Sequence, residues 1–226
     1  MIGRVLFSIA ALALVAAKPA DPPAKPMLSV IAPAEIANDP SNKLTIELSN
    51  GGKIVIMMRP DAAPAHVERI KTLVRQGFYN GLNFHRVVPG FMAQGGDPTG
   101  TGSGDSPLPN LQAEFNDLPH LRGVASMARA EDVNSGNSQF FIMLAPTFSL
   151  DHKYTGFGRV ISGMQFVDGI APGEPPAQPT KIVRAWLDGP APAAVAAVPV
   201  PAQPQAEAPA PSPANEQPKD ETATGG

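Results

Sequence analysis

The chain has 226 residues, a formal net charge of −3, 27 prolines and no cysteine. That length holds one ordinary domain with appendages. Its scattered basic residues do not make a nucleic-acid or acidic-lipid surface, and the lack of thiols excludes a disulfide scaffold, a cysteine nucleophile and cysteine-ligated zinc.

Residues 1–17 have a short start carrying Arg4 and continue as an apolar run from Val5 that ends in Val15-Ala16-Ala17. A bilayer span takes about 20 apolar residues, so this shorter run reads as a secretory signal cleaved after Ala17. An uncleaved anchor is the alternative. The expected location is the periplasm or the medium, with no membrane insertion once the signal is removed. Residues 18–42 are rich in Pro and Ala, show no period and read as a linker. The folded unit is expected over 43–188. Lys43–Leu48 alternates with period two, Asn50-Gly51-Gly52 is a hairpin signal, and Lys53–Met58 is the return strand. Pro64 opens a helix in which His66, Val67, Ile70, Leu73 and Val74 recur at helical spacing, and Gly77 closes it. Strands are predicted over 123–128, 139–144, 154–161 and 180–187, with a short helix over 165–170. Many short strands with two helices suggest a mainly β fold: a closed barrel capped by helices. Residues 189–226 are Ala, Pro, Gln and Glu, too polar to offset chain entropy, and read as a disordered tail.

The stretch Phe84-His85-Arg86-Val87-Val88-Pro89-Gly90-Phe91-Met92-Ala93-Gln94-Gly95-Gly96-Asp97 sets one arginine and one glutamine among large apolar side chains. The apolar groups can form a pocket for a small ring, with Arg86 as a fixed donor at its rim and Gln94 holding a peptide amide. Ser138-Gln139-Phe140-Phe141-Ile142 reads as an apolar strand completing the pocket wall. Phe140 and Phe141 alternate, so one faces the core, and an outward phenylalanine is costly unless it lines a site. Such a site binds and polarises a neutral group and has no obvious nucleophile.

Other chemistries fit less well. The glycine-dense loop 95–104 lacks the Gly-Lys-Ser/Thr ending of a phosphate cradle. His66, His85, His120 and His152 are far apart, without metal-ligand spacing. His66 reads as a packed residue. His85, by alternation, points away from Arg86 and reads as a hydrogen-bonded support. Asp97 and Asp105 lack calcium-loop spacing, and no Gly-x-Ser-x-Gly elbow exists. Neither metal nor cofactor is expected.

These motifs, together with Ser126-Met127-Ala128-Arg129, Leu150-Asp151 and Phe157-Gly158, make residues 43–187 resemble a cyclophilin-type peptidyl-prolyl cis-trans isomerase of the bacterial, exported kind. The resemblance implies an eight-stranded antiparallel β-barrel with a helix over each end. It places the catalytic arginine on Arg86 and the proline pocket on Phe91, Met92, Phe141 and Leu150. The groups that hold the peptide backbone fall on Gln94, Ala128, Arg129 and Gln139, with Arg129 acting through its backbone. Tyr154 stands where many members carry a histidine. Ser149 stands where the best-studied eukaryotic members carry a tryptophan, which implies weak binding of cyclosporin. The expected partners are proline-containing polypeptides, and the expected state is a monomer. The rival reading is a non-catalytic peptide-binding chaperone module on the same fold; an intact Arg86 favours the enzyme.

Overall fold

Residues 30–187 are described by the structure, a computed structural model. The expected signal segment 1–17, residues 18–29 of the expected linker and the tail 189–226 lie outside them. Alternation decides the first hairpin: Leu44, Ile46 and Leu48 of β1 (Lys43–Leu48) and Ile54, Ile56 and Met58 of β2 (Lys53–Met58) are buried. Each such side chain removed from water stabilises the fold by about 1.5–3 kcal/mol. Gly51 supplies the left-handed residue of the turn at φ +85°, and Asn50 Oδ1 accepts from the Gly52 N–H at 3.1 Å.

Helix α2 (Pro64–Arg75) begins on its proline, buries Val67, Ile70, Leu73 and Val74, and packs against β8 (Ile182–Leu187). Gly77, at φ +70°, follows its end. The remaining strands are β3 (Phe84–Val88), β4 (Met92–Gly95), β5 (Val124–Met127), β6 (Phe140–Met143) and β7 (Gly156–Ser162). A short helix, α3 (Met164–Asp168), packs on β2 through the buried Val167.

The eight strands make one antiparallel curled sheet in the order β3-β4-β6-β5-β7-β2-β1-β8. Its core side carries Ile46, Ile56, Phe84, Phe140 and Phe157 in a single cluster. No continuous ladder joins the edge strands β3 and β8. Between them lies an isolated antiparallel bridge, Asn83 to Lys181, flanked by Gly81 N to Ile182 O (2.7 Å), Ile182 N to Leu82 O (2.8 Å) and Phe84 N to Thr180 O (2.9 Å).

The stretch expected to be linker differs in part. Residues Ala34–Asn38 form a further helix, α1, followed by a 3-10 turn at Pro40–Asn42. Neither has an apolar period; what holds them is polar. Lys71 Nζ donates to Asn42 Oδ1 (2.7 Å) and Ser41 Oγ (3.2 Å), and Asn42 Nδ2 donates to Ile36 O (3.1 Å). Among the described residues the three α-helices therefore exceed the two expected.

Candidate active site

The site begins with an irregularity in β3. Phe84 pairs with Gly95 while Arg86 pairs with Gln94, so two residues on β3 advance against one on β4. His85 is the extra residue of a bulge, which re-aims the side chains on either side. Phe84 enters the core cluster. Arg86, two residues on, faces the other way.

Register then carries that outer face across the sheet. Arg86 pairs with Gln94, Gln94 with Phe141, and Phe141 with Ser126. Directly opposed residues share a face, so an arginine, an amide and an aromatic ring lie in one row. The neighbouring row pairs Met92 with Met143. Met92, Val124, Ala128, Phe141 and Met143 form a second buried cluster, distinct from the core, with Phe91, Leu150 and Tyr154 packed against it. Phe140 and Phe141 thus divide as alternation requires, one into each cluster.

Above the second cluster opens a cavity of about 690 Å³. Of the residues expected at the site, Arg86, Phe91, Met92, Gln94, Ala128, Arg129, Phe141, Leu150 and Tyr154 line it. Gln139 does not; it stands behind the wall. Its Nε2 donates to Gly102 O (3.1 Å) and Gly104 O (2.9 Å), and its Oε1 accepts from Gln94 Nε2 at 2.9 Å. It therefore orients Gln94 and ties down the glycine-rich loop. The Arg129 guanidinium is engaged with the carbonyls of Lys153, Ala130 and Glu131 and lies 4.7 Å over the Tyr154 ring. Phe141 meets Tyr154 edge to face at 5.5 Å.

Several lining residues escaped the sequence reading: His85, loop residues 100–103, Glu174 and Pro175. His85 was expected away from the site as a hydrogen-bonded support. It instead reaches the cavity, because the bulge breaks alternation there. Its buried ring nitrogens have no hydrogen-bond partner among the described residues. Burial lowers its pKa, opposed by the nearby Asp97 carboxylate and aided by Arg86. Asp97 accepts from Thr99 N (2.7 Å), Thr99 Oγ1 (2.8 Å) and Gly102 N (2.5 Å) and so folds the loop over the ring. Burial, with Asp97 beside it, raises Asp105 to about 6.

A chain resembling a hydrolytic triad lies beneath the floor. Ser126 Oγ is 2.9 Å from His120 Nε2, and His120 Nδ1 is 2.8 Å from Asp151 Oδ1. Ser126 is 0% exposed, so no substrate reaches its oxygen. The chain is a support: His120 stacks on Phe141 at 6.3 Å between ring centres. No group of His, Cys, Asp or Glu among the described residues is arranged to hold a metal ion.

The family described as cyclophilin type peptidyl-prolyl cis-trans isomerase matches residues 43–186, from β1 to β8. The chain belongs to that family. Among its relatives, a probable peptidyl-prolyl cis-trans isomerase of Brucella suis biovar 1 (strain 1330) is 44% identical over 168 residues, covering 67% of this chain and 85% of that protein. Peptidyl-prolyl cis-trans isomerase B of Bacillus subtilis (strain 168) is 43% identical over 129 residues, covering 56% of this chain and 89% of that protein. Among solved structures, a cyclophilin from Hirschia baltica superposes with a TM-score of 0.62 at 32% identity, covering 66% of this chain and 74% of its own. A cyclophilin type isomerase from Cryptosporidium parvum, solved in the presence of the dipeptide Ala-Pro, gives 0.61 at 26% identity, covering 66% and 99%. In this cyclophilin-family chain the row Arg86–Gln94–Phe141 and the cavity it borders are therefore the place to look for the isomerase chemistry.

Proposed function

We propose that this cavity accelerates rotation about X-Pro bonds without a covalent intermediate, with Arg86 as the catalytic donor. The observation that carries the reading is the cross-strand row: a guanidinium and an amide in register beside an aromatic, apolar floor. Rotation is blocked by C–N double-bond character, a barrier of about 18–20 kcal/mol. In the twisted state resonance is lost and the prolyl nitrogen becomes pyramidal and basic. Arg86 donates to that nitrogen while Phe91, Met92, Phe141 and Leu150 hold the ring out of water. Gln94, held by Gln139, and the backbone of Ala128 and Arg129 keep the flanking amides fixed as the bond turns. Donors aimed in advance at the twisted state stabilise it over the ground state. A thousandfold acceleration needs about 4 kcal/mol at 1.36 kcal/mol per decade, within reach of one charged donor and positioning.

The substrates are proline-containing polypeptides, here exported proteins during folding, and the protein acts as a monomer in the periplasm or outside the cell. Export rests on the apolar run that follows Arg4 and ends at Ala17. The isomerase unit is 43–188, with 189–226 a dispensable tail, and the Asn83–Lys181 bridge is read as the seam that closes the sheet into a barrel. A protease-coupled assay on an Ala-Pro peptide tests the chemistry. Exchange no faster than the uncatalysed rate would reject it in favour of a binding module. Deleting 189–226 leaves that rate unchanged, and N-terminal sequencing of the native protein finds Lys18 first; Met1 in cytoplasmic material would overturn export.

A further inference from the structure

Arg86 is not alone at the cavity rim. Its Nε–H donates to Glu174 Oε2 at 2.6 Å, across 88 residues of sequence. The carboxylate is fixed from behind: Gly173, the residue before it, exchanges two backbone hydrogen bonds with Val87, the residue after Arg86. These are Val87 N to Gly173 O at 2.8 Å and Gly173 N to Val87 O at 2.9 Å. Two neighbouring backbones are thus clamped so that the acid meets the base, and Glu174 itself lines the cavity. The two side chains are 40% and 50% exposed. An ion pair so open to water contributes little to folding, so stability does not account for it.

Orientation does. A guanidinium has five N–H donors in a rigid fork. Glu174 takes the one on Nε and leaves the terminal nitrogens, which make no hydrogen bond among the described residues. An arginine held only by its own torsions must be ordered each time a bond is turned, and that ordering opposes catalysis.

We propose that Glu174 is a positioning residue for Arg86: its carboxylate grips Nε and aims the terminal N–H groups into the cavity before substrate arrives. The proposal rests on the reading of Arg86 as the isomerisation donor. Because the carboxylate acts on a group already in the cavity, its removal lowers kcat more than it raises KM.

The test is a set of variants of the full chain: Glu174→Ala, Glu174→Gln, Arg86→Ala, Arg86→Lys and the double variant Glu174→Ala/Arg86→Lys. Glu174→Ala should lower kcat/KM about three- to tenfold, carried by kcat, with Tm unchanged. Glu174→Gln keeps an oxygen acceptor and recovers part of the loss. Lysine has no Nε–H fork, so adding Glu174→Ala to Arg86→Lys should change nothing further. The Arg86 Nε–Hε resonance should be sharp and slow to exchange in the wild type and broadened in Glu174→Ala. Wild-type or raised kcat/KM in Glu174→Ala, with Arg86→Ala inactive, overturns the proposal while leaving Arg86 as the donor. An equal loss from Glu174→Ala on both backgrounds also overturns it, as an effect of the loop. Full activity in Arg86→Ala removes Arg86 from the chemistry and takes this role for Glu174 with it.

Discussion

At the scale of single residues, the site depends on a few side chains whose neighbours are replaceable. Arg86→Ala should lower kcat/KM by about two to three decades, roughly 3–4 kcal/mol of lost transition-state stabilisation. Its side chain is part-exposed and outside both apolar clusters, so Tm should not move. A protease-coupled assay beside a melting curve checks both halves, and undiminished turnover would take Arg86 out of the mechanism. Ser149 belongs to the 3-10 turn Phe148–Leu150 at the cavity edge. The ring of Phe148 does not fill the place of an absent tryptophan, since it is 62% exposed and does not line the cavity. Ser149→Trp should strengthen inhibition by cyclosporin roughly thirty- to a thousandfold, the worth of one aromatic hot spot at about 2–4 kcal/mol. Inhibition curves for the two proteins decide it, and tight inhibition of the unaltered protein would contradict the argument.

At the scale of elements, ladders join β3 to β4 and β4 to β6, and the loop across the cavity is held from below. Gln139 extends from just before β6 to carbonyls of that loop and to Gln94 on β4. Gln139→Ala removes these bonds and leaves a buried carbonyl at Gly104 without its donor. The expected cost is about 1–3 kcal/mol, or roughly 3–10 °C of Tm for a domain of this size. Substrate holding suffers with it, so KM should rise while the chemical step, proposed for Arg86, changes less. Thermal denaturation and steady-state kinetics on the variant measure the two effects separately. A variant that melts like the wild type would show that Gln139 does not hold the loop.

At the scale of the whole molecule, acid should weaken the fold through its histidines. Burial is the largest cause lowering the pKa of His66, His85 and His120, over the opposing carboxylates Glu114, Asp97 and Asp151. The unfolded chain, with histidine near its ordinary value of about 6.5, therefore binds protons before the folded one. Stability is present above that pH and is lost as pH falls through the depressed folded values. Asp105 has the opposite sign. Raised from 3.8 to about 6, it contributes stability at acid pH that is lost as pH rises through about 6. Across this window three depressed histidines act against the one raised carboxyl. Tm should fall between pH 7 and pH 5; a flat or rising profile would count against this account.

How much of this was legible beforehand follows from the range of the forces involved. Period-two burial in β1 and β2, the Asn-Gly-Gly turn and the α2 period are local, so the residues themselves determine them. The motif 84–97 and the alternation of Phe140 with Phe141 likewise mark the arginine, the amide and the cavity floor. What stayed hidden depends on contacts between distant segments. The bulge at His85 arises from how β3 meets β4, and it overturned the alternation that had turned the ring away from the site. The resemblance assigned Gln139 to holding the peptide backbone; only the fold reveals the three hydrogen bonds that tie it to Gln94 and to the glycine-rich loop. The short helix at Ala34–Asn38 has no apolar period to announce it and precedes a 3-10 turn held by Lys71 from α2. Glu174 reaches Arg86 only because two backbones 86 residues apart, at Val87 and Gly173, exchange hydrogen bonds. Sequence determined which groups the chain has for the chemistry; the sheet's register and its bulge decided which way they face and what holds them there.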